Sequence, residues 1–256
     1  MRRMAKNGIK EWYYGYKLHV ICDAYYGIPL HAILTAANRW DGHLLKPLVE
    51  ETLKRYPWLA PRYLLADKGY DDTKNFLWLD SIGITPIIAV RKPVKAKDGK
   101  RRTYKAEIEG PYGKYTESFN VDGYPVCPCG RVMRYVGTDS THGHSFKCPR
   151  DRRHSEKVLS PLSCGDEYWI KPKGKLVRIM GVLPRFSKRW KELYKLRQTI
   201  ERFFGSAKRS RVLDRHHFLS MDKVAIHTQT SLLTYSVTML ARLIYGDYER
   251  IRHMRM

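Results

Sequence analysis

Residues 62–90, RYLLADKGYDDTKNFLWLDSIGITPIIAV, hold a strand, a helix and a second strand in one unbroken line. The apolar run Tyr63 to Ala66 stops directly at Asp67, and Gly69 permits a tight exit from it. The spacing then predicts a helix over Asp72–Ser81, followed by a buried strand within Ile84 to Val90. Toward the N-terminus, WYYGYKLHVICDAYYGIPLHAILTA (residues 12–36) reads as a hairpin. Tyr16 to Cys22 is rich in β-formers, Asp23 to Gly27 carries turn chemistry, and Ile28 to Thr35 resumes the apolar run. A helix is expected over Gly42 to Tyr56, buried through Leu44, Leu45, Leu48, Val49 and Leu53 and closed by Pro57 and Pro61. Hairpin, helix, strand, helix, strand is the order of an α/β chain whose mixed sheet is layered with helices. Functional groups gather at strand ends in such sheets, so Asp67 is either a site residue or a helix N-cap or Asx-turn aspartate.

The balance of 48 Lys+Arg against 25 Asp+Glu gives a net charge of +23. The cations run through the whole chain, which calls for a polyanion laid across the folded body, most simply nucleic acid. A hydrophobic share of 43% supports a real core, and 12% aromatic residues argue against disorder. No apolar run is long enough to span a membrane, and the start has no apolar signal segment, so no membrane partner is expected. Five cysteines, an odd number, fit a reducing cytoplasm better than a disulfide scaffold.

Beyond Arg91 the composition changes to the basic run KPVKAKDGKRRTYK and then to a Gly-, Pro- and aromatic-rich segment. It predicts a mostly β, loop-rich insertion over residues 92–187, with short strands at Tyr115–Val121, Arg131–Val136, Glu167–Ile170 and Leu176–Ile179. The domains expected are therefore 1–91, the insertion 92–187, helices over 188–246 and a polar tail at 247–256. Cys127, Cys129, Cys148 and Cys164 lie in the insertion, with His142, His144 and His154 nearby. Thiolates in a loop-rich segment suit a structural Zn2+, although a C-x-C pair replaces the commoner C-x2-C and plain buried cysteines are the alternative.

The helical pattern returns in YKLRQTIERFFGSAKRSR, residues 194–211, which contains no proline. On one ideal helix, Arg197, Glu201 and Lys208 all fall within roughly 60° of Tyr194, on one narrow face. Leu193, Leu196, Ile200, Phe203 and Ala207 fall at roughly 180–260° from Tyr194, an adjoining core stripe. A carboxylate among cations suits a phosphate-processing site; an ordinary surface helix would look the same. A further apolar helix is expected over Lys223–Tyr245, through Val224, Leu232, Leu233, Val237, Leu240 and Leu243.

These motifs together resemble the DDE transposases of the IS4 and IS5-like insertion sequences. The Tyr194-x2-Arg197-x3-Glu201-x6-Lys208 spacing is similar to the signature around the catalytic glutamate of the IS4 group. ADKGYD around Asp67 looks like the second-aspartate motif, and GYKLHVICDAYYGIPLHAILTAANRWDG like the hairpin before it. The CPCG stretch resembles the insertion of IS1182-type members. The resemblance implies a ribonuclease-H-like (retroviral integrase-like) fold and cleavage and transfer of DNA strands by two Mg2+ or Mn2+ ions held between carboxylates. It implies Asp67 and Glu201 as catalytic metal ligands, with converging carboxylates. Tyr194, Arg197 and Lys208, with Arg209 and Arg211, would meet DNA phosphates. Double-stranded transposon-end and target DNA is the implied partner, with two copies pairing in the synaptic complex of a bacterial, nucleoid-associated protein. The first catalytic aspartate of the family has no counterpart in Met1 to Glu11, so a chain truncated at its N-terminus is expected. Asp23 is the nearest substitute ligand but matches a turn aspartate, and Asp41 matches a helix N-cap. A noncatalytic DNA-binding remnant and a ribonuclease-H-like nuclease are the competing functions.

Overall fold

The computed structural model describes residues 2–4, 10–12, 15–91, 103–110, 113–127, 129–149, 167–210, 213 and 217–247. The basic run at 92–102, His154, Cys164, Arg211 and the tail from 248 onward lie outside the described residues. The chain divides into two compact units, Met1–Ala60 with Lys195–Met256, and Pro61–Tyr194. The architecture is mixed α/β, and its described strands form several small sheets.

In the first unit, β1 (Arg2–Met4) and β2 (Lys10–Trp12) pair as an antiparallel ribbon. The expected hairpin forms from β3 (Tyr16–Cys22) and β4 (Pro29–Ala36), with Leu18 opposite Leu34 and Val20 opposite Ala32. Its turn is closed by Asp23, whose carboxylate accepts the N–H groups of Tyr25, Tyr26 and Gly27 at 3.3, 2.5 and 3.2 Å. That use of an aspartate is a turn's own chemistry. A 3-10 turn (Asp41–Leu44) leads into α1 (Leu45–Arg55), which packs on the hairpin and buries Leu45, Leu48 and Val49. Asp41 is not the cap of this segment: Trp40 holds the N-cap position, and the Asp41 carboxylate accepts Lys17 Nζ at 2.6 Å.

The stretch expected as one helix from Tyr194 is two. α4 (Lys188–Lys195) ends, Leu196 and Arg197 turn, and α5 (Gln198–Ser210) begins. No proline or glycine marks the break; a tertiary contact lies just beyond it. Thr199 is buried, and its hydroxyl donates to the Ala24 carbonyl in the hairpin turn at 2.9 Å. Gly27, at φ +75°, lies so close that a Cβ there would stand 3.1 Å from the Thr199 γ-methyl. α6 (Met221–Ile244) starts at Ser220, whose hydroxyl accepts the Lys223 N–H. Phe203 and Ala207 of α5 pack with Tyr235 and Met239 of α6 over Leu18 and Val20 of the hairpin. Burial of Phe203 alone, 1% exposed, stabilises this unit by about 1.5–3 kcal/mol. Of the apolar residues read on α6, Val224 is buried, whereas Leu233, Val237 and Leu240 are exposed.

In the second unit, β5 (Tyr63–Ala66) and β6 (Thr85–Ile88) are parallel, joined through α2 (Thr73–Ser81) as a β–α–β unit. Phe76 and Leu79 of α2 are buried, as are Ile87 and Ile88 of β6. The described strands between residues 103 and 170 form two antiparallel sheets. β7 (Tyr104–Gly110), β8 (Gly113–Phe119) and β9 (Pro125–Val126) form one antiparallel sheet. β10 (Arg134–Asp139), β11 (Gly143–Lys147) and β12 (Glu167–Ile170) form another. Leu176–Ile179, expected as a strand, is instead the body of a short helix, α3 (Lys175–Ile179). Val177 and Ile179 are β-formers by type, but Leu176, Val177, Ile179 and Met180 are all buried, a helical spacing. Phe119, Phe146, Ile170 and Met180 centre the core of this insertion, and Cys127 and Cys148 belong to it.

Candidate active site

Asp67 follows β5 immediately and begins the turn into α2. Its side chain accepts the Gly69 N–H at 2.6 Å, closing an Asx turn ahead of the 3-10 turn Lys68–Tyr70. The residue is exposed, and one of its two oxygens is engaged by that bond. Asp72 caps α2 by accepting the Lys74 N–H. Asp67 thus performs the turn role and still presents a carboxylate at a strand end.

The loop carrying Asp67 is clamped by residues that sequence reading missed. Arg91, just beyond β6, donates through Nε to the Lys68 carbonyl and through Nη2 to the Gly69 carbonyl, at 3.0 and 3.2 Å. The Arg91 N–H donates to Asp71 Oδ2 at 2.8 Å. Asp71 is buried and takes both prongs of the Arg178 guanidinium from α3, each at 2.8 Å. Tyr104 donates its hydroxyl to the Arg91 carbonyl at 2.6 Å, and its ring lies 5.7 Å beneath the Arg178 guanidinium. Burial pushes the Tyr104 hydroxyl pKa up. Arg185 donates to the carbonyls of Arg178 and Ile179, and burial pushes its pKa down to about 10, so it stays charged at neutral pH. The signal in the sequence was Asp71 itself, an aspartate two residues past a glycine, whose partner stands over a hundred residues away.

Glu201 lies in the first turn of α5, where a carboxylate favours the helix dipole. It is exposed and pairs with Arg197 one turn earlier, Nη1 to Oε1 at 2.8 Å. Lys208, seven residues on, shares its face of α5. Lys208 and Arg209 are exposed, and Arg209 Nε donates to the Gly205 carbonyl. Tyr194 is not on this helix; it sits on α4, half-buried, stacked on Trp190 with ring centroids 4.7 Å apart. Asp23, the substitute ligand, has its carboxylate occupied by the three N–H groups of its turn.

Among the described residues, one group of potential metal ligands comes together, and it is made of cysteines. The sulfurs of Cys127, Cys129 and Cys148 all lie within 4.8 Å of one another. The two nearby histidines among the described residues make other contacts. His144 is buried, with Nδ1 at 2.8 Å from the Thr138 hydroxyl and Nε2 at 3.0 Å from the Gly181 carbonyl. His142 pairs with Asp139 through Nδ1 at 3.0 Å.

Residues 2–237 match the model of a protein family described as "Transposase DDE domain". A stretch of 83 residues is 41% identical to a Burkholderia cepacia protein described as "Putative transposase for insertion sequence element IS402". That match covers 30% of this chain and 39% of the relative, so the chain spans about two fifths of the relative's length. No helix among the described residues is long and apolar enough to cross a membrane. With nearly the whole sequence inside the matched range, from the hairpin through α5 and most of α6, the chain belongs to the DDE transposase family.

Proposed function

We propose that this chain is the core of a DDE transposase, cutting and joining DNA strands as an insertion sequence moves, on a ribonuclease-H-like framework. The observation that carries the reading is the extent of the family match, which takes in the Asp67 turn and the Arg197–Glu201 pair together. Asp67 and Glu201 are the residues proposed to hold Mg2+ or Mn2+. Both are exposed carboxylates, the hard oxygen donors such ions take. When bound, the metal would supply activation of an attacking hydroxyl and stabilisation of the leaving oxygen. The chain's own residues do the positioning. Gly69 fixes one oxygen of Asp67, and the Arg91 clamp fixes the loop behind it. Arg197 restrains the Glu201 side chain, and Lys208 and Arg209 on the exposed side of α5 are offered to DNA phosphates. A net charge of +23 supports double-stranded DNA as the partner, with two copies meeting on the two ends in the bacterial cytoplasm.

A nicking assay on duplex DNA with Mn2+ tests this reading. Metal-dependent nicking that disappears in both Asp67→Asn and Glu201→Gln supports it. Salt-sensitive binding without nicking favours a second reading, a DNA-binding protein without strand chemistry. The observation behind that second reading is that Asp23, the substitute for a third carboxylate ligand, spends its oxygens on its own turn. Binding that is indifferent to salt contradicts both.

A further inference from the structure

We propose that Cys127, Cys129 and Cys148 hold a structural Zn2+ that ties the two sheets of the insertion together. A tight turn supplies the first two thiols. Cys127 follows β9 and donates its N–H to the Arg131 carbonyl at 2.9 Å, while Gly130 donates to the Cys127 carbonyl at 2.7 Å. Gly130 has φ +82°, a conformation glycine adopts without strain. Val126 and Val132 bridge the base of the turn. The chain therefore folds back tightly across residues 127–131, which brings the sulfurs of Cys127 and Cys129 together although only one residue separates them. Cys148 arrives from the other sheet, directly after β11. Two elements distant in sequence thus deliver thiols to one point.

The spacing of the sulfurs identifies what they suit. Cys129 Sγ and Cys148 Sγ are 3.7 Å apart. A disulfide holds its sulfurs at about 2.05 Å, so these are thiols. Zn–S bonds of about 2.3 Å at a tetrahedral angle place sulfurs about 3.8 Å apart. With all three sulfurs within 4.8 Å, sub-ångström to one-ångström side-chain adjustments complete three corners of that tetrahedron. Burial points the same way: Cys127 and Cys148 are 2% and 3% exposed within the Phe119–Phe146 core, where an ion is shielded, and Cys129 is half-buried at its side. Thiolates select borderline-soft, redox-inert Zn2+ over the hard Mg2+ proposed for Asp67 and Glu201. Of the described histidines, His144 has both ring nitrogens engaged and His142 its Nδ1. Binding releases the thiol protons, so the ion is held at neutral pH and lost in acid.

The test uses the full chain purified without a histidine tag. Metal analysis should find about one zinc per chain, with three or four sulfur neighbours by X-ray absorption, as a thiolate site requires. Co2+ exchanged into the protein should show the visible absorption of a tetrahedral thiolate complex. Cys127→Ser and Cys148→Ser should each lose the zinc, while Cys22→Ser, on a strand of the other unit, keeps it. Should the serine variants fail to fold, titrating the wild-type thiols with a mercurial should release zinc in step with the thiols consumed. Zinc-free protein with reactive thiols, a Cys129–Cys148 disulfide in non-reducing mass analysis, or zinc held by fewer than three sulfurs overturns the proposal. None of these readouts depends on DNA cleavage, so the site stands or falls apart from the transposase reading.

Discussion

Arg178→Ala removes the fork that meets Asp71. The Asp71 side chain is fully buried (0% exposed) and that of Arg178 is 22% exposed, so the truncation strands a carboxylate away from water. Only the Arg91 N–H, at 2.8 Å, still donates to it among the partners described above. Breaking a buried, doubly hydrogen-bonded pair from one side costs about 3–5 kcal/mol, several times the worth of an exposed pair. Each kcal/mol moves the midpoint of a unit of roughly 130 residues by about 3–4 °C, which predicts a Tm lower by about 9–20 °C. Thermal and urea melts followed by circular dichroism read this change. Arg178→Lys should recover part of the loss, because it restores the charge but not the two-pronged geometry. Asp71→Leu with Arg178→Met should be milder than the sum of the single changes, since no charge is left buried. A Tm drop under about 3 °C for Arg178→Ala, the effect of an exposed ion pair, refutes the clamp as the anchor of the Asp67 loop.

Glu117, buried on β8, has its carboxyl pKa raised to about 7 by burial. A raised carboxyl is protonated in the folded state, so its contribution is complete below the unfolded value and lost as pH rises through about 7. Glu117→Gln should therefore leave the unfolding free energy from urea melts unchanged near pH 4.5 and raise it at pH 8, by up to about 3 kcal/mol; no gain at pH 8 contradicts this. Gly123 sits at φ +91°, and a Cβ there would meet the Ile179 carbonyl at 2.6 Å. Gly123→Ala should cost about 1–3 kcal/mol in a denaturation series, from strain and the displaced carbonyl together. Lys208→Ala combined with Arg209→Ala should weaken DNA binding and reduce the slope of log affinity against log salt by about 2, one phosphate contact each. An unchanged slope in fluorescence anisotropy would remove α5 from the DNA interface.

Elements governed by local chemistry were legible in the sequence. The Tyr16–Ala36 hairpin, the strand ending at Asp67 and the α2 helix follow from alternation, turn residues and periodicity within a few residues of one another. What could not be read is set by distant partners. The break at Leu196 and Arg197 lies next to Thr199, whose hydroxyl reaches Ala24, and nothing within YKLRQTIERFFGSAKRSR announces it. Leu176–Ile179 offers two β-formers, Val177 and Ile179, yet it is a helix whose Leu176, Val177 and Ile179 are buried at helical spacing. At the candidate site, Asp67 was expected from its strand end, and Arg197 and Glu201 from their spacing together with the family resemblance. The Arg91, Tyr104 and Arg178 clamp could not, because each meets its partner through folding rather than through sequence order. Tyr194 was placed beside Glu201 only by continuing a helix through the break.

Fe2+ can take the place of Mg2+ between carboxylates and, with ascorbate and peroxide, cuts the polypeptide wherever it is bound. Mapping those cuts tests the shared metal site whether or not the chain is catalytically competent. The transposase reading predicts scission in two segments, one around Asp67 and one around Glu201, both suppressed by excess Mg2+ and both lost in Asp67→Asn. Scission at only one of the two, or scission near Glu201 that survives Asp67→Asn, would contradict it.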